Sequence, residues 1–298
     1  MPEEQIAVIS SIGIAPSVNK YRRFFKTLFG RKVVVFGTVV ILILISAAIF
    51  APLIAPYDPI KHSMTEALLK PSWEHLLGTD VLGRDTFSRV VYGTRVSLVI
   101  GLSAITLAGS IGMLLGLIAG YFGGATYMVV MRCVDTLMAI PMIPLAIVIA
   151  AMLGSGLKNV VLAIGISGIS IYARMMCAQV LSIRESDYIL AYRSMGANDL
   201  RIMFRHLLPN CLPPLIVVMT MQIGITILTE AGLSFLGIGI QPPTPAWGAM
   251  VTDGYRFLLY NPVLSIAPGV AIILVVFAFN MVGDGLRDTI DPRLRGTL

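Results

Sequence analysis

The sequence predicts an all-α integral membrane protein with six transmembrane helices and both termini in the cytoplasm. Three observations carry this. The chain is 56% hydrophobic and only 13% charged, with a mean hydropathy of +0.86, where soluble domains carry about 25% charged residues. A hydrocarbon core of roughly 30 Å takes about 20 apolar helical residues, and the stretches 33–55, 96–122, 136–157, 160–181, 211–236 and 263–282 are long and apolar enough. With the N-terminus inside, fifteen Lys and Arg fall in the inner loops and seven in the outer ones, the bias of the positive-inside rule.

Along the chain, residues 1–32 form a mostly polar cytoplasmic segment. The apolar run at 33–55 is too long for a cleaved signal peptide and is read as a retained anchor. An external segment follows at 56–95. In it Gly78 and Gly83 mark turns, and Asp85 can cap a helix starting near Thr86. Phe87, Val90 and Val91 then share a face, so a short helix lying on the outer membrane surface is expected. The second span holds Gly112, Gly116 and Gly120, two overlapping GxxxG units that let another helix approach closely. Pro141 and Pro144 should kink the third span. Arg132 and Asp135 lie one helical turn apart and can pair.

Between the fourth and fifth spans lies "YRSMGANDLRIMFRHLLPN", residues 192–210, an amphipathic insert in a greasy chain. Gly196 breaks one short helix, Asn198 caps the next, and Asp199 suits its positive start. Leu200, Met203, Phe204, Leu207 and Leu208 follow helical spacing on one face, with Arg201 and Arg205 on another. Pro209 is expected to close the helix where the fifth span begins. Such a hairpin either lies on anionic lipid or docks as a knob into a cleft of a soluble partner.

The fifth span contains Gln222 and Glu230. An ionised carboxylate facing hydrocarbon costs at least about 2.5 kcal/mol, so Glu230 either borders a translocation path, with Gln222, or is buried and hydrogen-bonded at a subunit interface. Pro242, Pro243 and Pro245 stiffen the outer loop that follows, and Trp247 and Tyr255 suit an interface. Arg84, Asp85, Arg89, Gln241 and Trp247 of the two outer segments are candidates for docking an external partner.

Several classes are excluded or disfavoured. The net charge of +6 lies in loops rather than on a basic domain with interleaved aromatics, so nucleic acid is not a partner. Three cysteines and three histidines show no ligand spacing, and no metal site is expected. There is no HExxH, no Ser/His pairing in the spans and no carboxylate pair, hence no catalytic residue. The mid-membrane is nearly free of charge, which argues against an ion-coupled secondary transporter.

In "LAYRSMGANDLRIMFRHLLPN", Ala191, Gly196, Ala197, Asp199, Leu208 and Pro209 stand as in the EAA loop of ABC importer permeases, which this stretch resembles. Leu190 and Tyr192 stand where that signature has Glu and its second Ala, so the position lacks a carboxylate. "LGTDVLGRDTFSRVVYGTRVSL", "EAGLSFLGIGIQPPTPAWG" and "VGDGLRDTIDPR" resemble the C-type subunit of the dipeptide/oligopeptide/nickel permease family. The resemblance implies a type I importer permease fold. Its core would span 96–285, with the EAA loop at 183–210 and a cytoplasmic tail at 286–298. It further implies a bacterial inner-membrane location, a heterodimeric pore with a second homologous permease, two ATPase subunits and an extracytoplasmic binding protein. The solute would be a di- or oligopeptide, or alternatively a nickel chelate or another small solute. Ala191, Tyr192, Arg193, Gly196, Ala197, Asn198, Asp199, Leu200, Arg201, Met203, Phe204, Arg205 and Pro209 would form the coupling surface for an ATPase. ATP and Mg would sit on those partners, because this chain has no GxxxxGK[ST] and "GSGLKN" only faintly approaches it.

Overall fold

The computed structural model describes residues 24, 25 and 27–290. The basic residues Lys20, Arg22, Arg23, Lys26, Arg293 and Arg295, which contribute to the expected orientation, lie outside them. Among the described residues the regular structure is helical, and the strand-like pairing is one isolated bridge between Thr79 and Asp85. In chain order the helices are α1 (Lys32–Ile49), α2 (Ala51–Ile54), α3 (Thr86–Phe122), α4 (Gly124–Met138), α5 (Met142–Leu153), α6 (Leu157–Ile183), α7 (Asp187–Ser194), α8 (Asp199–Phe235), α9 (Trp247–Tyr255) and α10 (Val263–Ile290). Helices α1, α3, α6, α8 and α10 are each long and apolar enough to cross a membrane. The bent pair α4 and α5 makes a sixth if taken as one span.

Two elements differ from the sequence expectation. No separate surface helix precedes the second span. Asp85 does cap at Thr86, its carboxylate accepting from Ser88 N at 2.7 Å. The helix then runs unbroken for 37 residues, roughly 55 Å at 1.5 Å per residue. Nothing after Thr86 ends it, since Gly93 lies flush against the Trp247 indole, whose Nε1 donates to Val90 O at 2.9 Å. The third stretch, in turn, is not one kinked helix but two helices bent by 88°. Ile140 precedes a proline, which disfavours helical backbone there, and α4 stops at Met138. Pro141 and Pro144 fall at the N-cap and first turn of α5, where a missing N–H is harmless.

The centre of the fold is the α3–α6 pair, which shares the most extensive helix contact. Gly112, Gly116 and Gly120 face Ile169, Ala173 and Val180. A Cβ built on Gly112 would meet Ile169 O at 2.5 Å, and one on Gly120 would meet Val180 Cβ at 2.8 Å. The backbones therefore touch along three turns. In lipid no hydrophobic drive separates helices from acyl chains, so this contact is held by dispersion at close range. Helix α1 lies at the margin, where Gly37 abuts Ala278 O of α10. It is fixed at its start by an Arg31–Asp288 ion pair and at its end by Arg95, which donates to Ala48 O at 2.9 Å.

At the end of the bundle opposite α7, the 56–85 segment folds over α3 and α9 around buried charge. Asp80 accepts from Leu82 N, Arg84 N and Arg84 Nε at 2.9, 3.0 and 2.6 Å, with Arg89 Nε at 3.5 Å. His75 Nδ1 lies 2.9 Å from Asp85, and Arg89 Nη1 donates to Pro59 O at 2.8 Å. Arg84 and Arg89 are 2% and 3% exposed, so these bonds must replace water. Burial also raises the pKa of Asp253 on α9, an effect partly offset by Arg84 and Arg89.

Three outcomes follow from the packing. Gly116→Leu should cost at least about 1–3 kcal/mol through overpacking against Ala173 backbone, seen as a lowered thermal midpoint in detergent. Gly269→Ala, with open space around it, should be neutral or slightly stabilising. Asp80→Ala should cost about 3–5 kcal/mol in the same assay, because it leaves two buried guanidinium groups without their shared carboxylate.

Candidate functional site

The hairpin between α6 and α8 is the feature with unspent chemistry. Helix α7 ends in a Schellman motif: Ala197 N donates to Tyr192 O at 3.0 Å and Gly196 N to Arg193 O at 2.9 Å. Gly196 has φ +79°, the left-handed backbone that glycine adopts without strain. Asn198 then caps α8 by accepting from Arg201 N at 2.9 Å. Both features match the sequence expectation of a glycine corner followed by a capped helix.

Helix α8 departs from it. Residues Ile202–Leu207 form a π-helical segment, with Leu208 N donating to Met203 O rather than to Phe204 O. This wider turn splits the expected apolar stripe. Ile202, Met203 and Leu207 are buried, whereas Leu200 and Phe204 are 65% and 47% exposed beside exposed Arg201 and Arg205. The buried three pack with Leu117 and Tyr121 of α3, Met176 and Val180 of α6, and Ile189 of α7. The exposed set, with Asn198 and Pro209, lines a shallow open surface. Ala191 and Arg193 are also exposed, with Tyr192 and Ala197 half-buried.

Pro209 does not end the helix, which continues through Phe235. After the π segment Pro209 sits in the first turn of a new α register, where its missing N–H is tolerated. Asn210 Nδ2 donates to Tyr188 Oη at 3.3 Å, and the Tyr192 and His206 rings stack at 3.8 Å, clasping α7 to α8. Tyr121 O–H donates to Asp199 at 2.6 Å, and Arg184 Nη1 donates to Gly120 O at 2.9 Å. Sequence reading passed over Tyr121, Arg184 and His206, and an aromatic residue directly after the last glycine of the GxxxG run was the available signal for the first.

The other candidates are dispersed. Glu230 has no exposed surface, and its carboxylate accepts from Ser234 Oγ at 2.7 Å while Ser234 Oγ accepts from Ile240 N at 3.0 Å. It is thus enclosed and hydrogen-bonded within the chain. At about 100° per residue it falls on the side of α8 opposite the exposed stripe of Ile225, Leu228 and Phe235. Gln222 is half-buried at the margin of that stripe. Arg84, Asp85 and Arg89 are buried in the charged block described above, Trp247 is buried against α3, and only Gln241 of that set is exposed. Asp135 pairs with Arg174 on α6 and not with Arg132, because α4 lies against α6. The three cysteines are free, and among the described residues no cluster of His, Cys, Asp or Glu could hold a metal ion.

Comparison with known proteins places this geometry. Residues 112–296 match the model of the binding-protein-dependent transport system inner membrane component, and residues 20–71 that of the N-terminal TM domain of oligopeptide transport permease C. The dipeptide transport system permease protein DppC of Alkalihalophilus pseudofirmus is 43% identical over 94% of this chain and 92% of its own. The glutathione transport system permease protein GsiD of Pectobacterium atrosepticum is 43% identical over 92% of each. The di/tripeptide transport system permease protein DppC of Pseudomonas aeruginosa is 41% identical over 92% of each. A chain of the inward-facing MetNI methionine ABC transporter shares the fold, with a TM-score of 0.56 and 21% identity over 69% of this chain and 98% of that one. The chain is thus a multi-pass inner-membrane protein that belongs to the family of binding-protein-dependent transport system inner membrane components, as an ABC importer permease.

Proposed function

We propose that the chain forms half of the pore of an ATP-driven importer of short peptides and takes no catalytic part itself. A second homologous permease would complete the pore, two ATPase subunits would bind the hairpins and hold ATP and Mg, and an extracytoplasmic protein would deliver the solute. The observation that carries this reading is the two-faced hairpin. One face, Ile202, Met203 and Leu207, is built into the ends of α3 and α6, and the other, Leu200, Phe204, Arg201 and Arg205, is open. An element anchored in the bundle and open on its far side suits a knob moved by a soluble motor. A helix resting on lipid would have its apolar residues outward and its arginines at the headgroups, whereas here the largest apolar share is turned inward.

Short peptides are favoured as solute because relatives over 40% identical are named for dipeptide, di/tripeptide and glutathione transport. None of those names supports nickel. Mass spectrometry of the ligand held by the companion binding protein tests the assignment, and a nickel chelate there would overturn it. For the docking of that protein, the exposed residues Gln241 and Trp73 are the better candidates, given the burial of Arg84, Asp85, Arg89 and Trp247. For the path, Gln222 is the more accessible of the two candidates, Glu230 being enclosed.

We further propose that the hairpin end faces the cytoplasm. In intact cells a membrane-impermeant thiol reagent should label Lys70→Cys and spare Lys26→Cys, and labelling of the latter would reject the orientation.

Coupling should depend on the corner and the apolar ridge more than on charge. Gly196→Val forces a β-branched residue into left-handed backbone. It should leave the protein in the membrane while abolishing peptide-stimulated ATP hydrolysis and uptake. Arg201→Ala removes an exposed charge worth about 0–1 kcal/mol to any single ion pair, and uptake should fall only slightly. Normal uptake with residues 190–209 replaced by a flexible linker would sink the coupling role, as would failure of Ala197→Cys to cross-link to an ATPase in the assembled complex.

A further inference from the structure

We infer that Tyr121 is a positioning residue that makes α3 a third helix driven by the hairpin, beyond α6 and α8, which the chain connects to it directly. This rests on the coupling role proposed above. The side chain is 6% exposed and sits at the last turn of α3. Its O–H donates to the Asp199 carboxylate at 2.6 Å, and the Arg193 guanidinium lies over its ring at 5.2 Å. Asp199 opens α8 and Arg193 belongs to the last turn of α7. One side chain of α3 is therefore held by both arms of the hairpin, on either side of the Gly196 corner.

The geometry around it turns a local contact into a lever. One residue earlier, Gly120 O accepts from Arg184 at the end of α6, so three elements converge on the final turn of α3. Behind that turn, Gly112 and Gly116 lock α3 to α6 backbone to backbone. Helix α3 has no break over its 37 residues. Its far end is tied to the charged block through Asp85 and Arg89, and to α9 through the bond from Trp247 to Val90 O. A displacement of the hairpin pulls on Tyr121 and is delivered, through a stiff rod about 50 Å long, to the far end of the bundle. Packing alone would let the hairpin slide across the greasy end of α3. A hydrogen bond to a carboxylate is directional and strong, and it fixes the register.

The test uses the complete transporter in proteoliposomes, with a labelled dipeptide as probe and Cys133→Ser as background for thiol chemistry. Tyr121→Phe keeps the ring and the Arg193 contact and removes only the hydroxyl. It should insert normally, keep the Ala197→Cys cross-link to the ATPase, and lower peptide taken up per ATP hydrolysed by about tenfold, the factor expected for loss of one charge-assisted hydrogen bond. Asp199→Asn, which keeps an acceptor, should retain more of that ratio than Asp199→Ala. Spin labels at Leu114→Cys and Met195→Cys, both exposed sites, should give a distance distribution that broadens in Tyr121→Phe. An unchanged uptake-to-ATP ratio in Tyr121→Phe would overturn the inference, as would equal damage from Asp199→Asn and Asp199→Ala. If the cross-link is absent even with Tyr121 in place, the coupling reading itself falls and this one with it. A cross-link that persists while the ratio holds removes only the role of Tyr121.

Discussion

The contact on which the rest of the molecule depends is the backbone seam between α3 and α6. Three glycines a turn apart leave room for Ile169, Ala173 and Val180 to press directly on the helix. Within a bilayer this is the main way two apolar helices gain over lipid, because attraction falls off within fractions of an ångström. Once α3 and α6 are fused, their ends at Phe122 and Ile183 are adjacent. That adjacency gives the hairpin a floor: Leu117, Tyr121, Met176 and Val180 form one surface, and Ile189, Ile202, Met203 and Leu207 settle onto it. Remove the seam and the hairpin has nothing rigid to stand on.

The hairpin shows how backbone detail decides which side chains are offered. A regular α-helix from Asp199 would keep Leu200, Met203, Phe204, Leu207 and Leu208 together. The π segment redirects Leu200 and Phe204 outward and brings Ile202 in. Such segments are rare and concentrate at functional sites. Here it has a local rationale. Pro209 cannot donate to Arg205 O, and a change of helical register immediately before it places the proline where no donor is required. The same irregularity thus accommodates the proline and exposes two apolar residues beside Arg201 and Arg205.

Much of this was legible in the sequence, and the remainder failed for identifiable reasons. The apolar stretches, the Asp85 and Asn198 caps, the Gly196 corner and the close approach at Gly112, Gly116 and Gly120 all follow from local rules and appear in the structure. Periodicity could not report the π turn, because an i→i−5 bond is chosen by tertiary packing and leaves no pattern of its own. The continuity of α3 was missed because polar residues from Thr86 to Arg95 read as a surface element, yet Arg89 is buried by α9 and the 56–85 segment, which are remote in sequence. The enclosure around Glu230 was illegible for a related reason. Its burial requires Gly239 and Gly248 to let the following turn close over Ser234 and Ala231, a long-range fit that hydropathy does not contain.

The two ends of the bundle are built by opposite means, and the contrast bears on how motion can pass between them. The end holding Asp80, Arg84, Arg89 and Asp85 is a network in which buried charges are bonded to one another and to backbone. Displacing any one of them strands the rest, so the network resists deformation and moves as a block. The hairpin end is apolar packing crossed by a few directional bonds at Tyr121, Arg184 and His206. Apolar surfaces tolerate small shifts, and those bonds set which shifts keep the pieces in register. A helix that is unbroken between a rigid block and a compliant socket carries rotation and translation with little loss. α3 is that helix, since α4 and α5 are bent by 88° and α8 contains the π segment. Under the proposed coupling role, motion that begins at the hairpin would tilt the far block as one body.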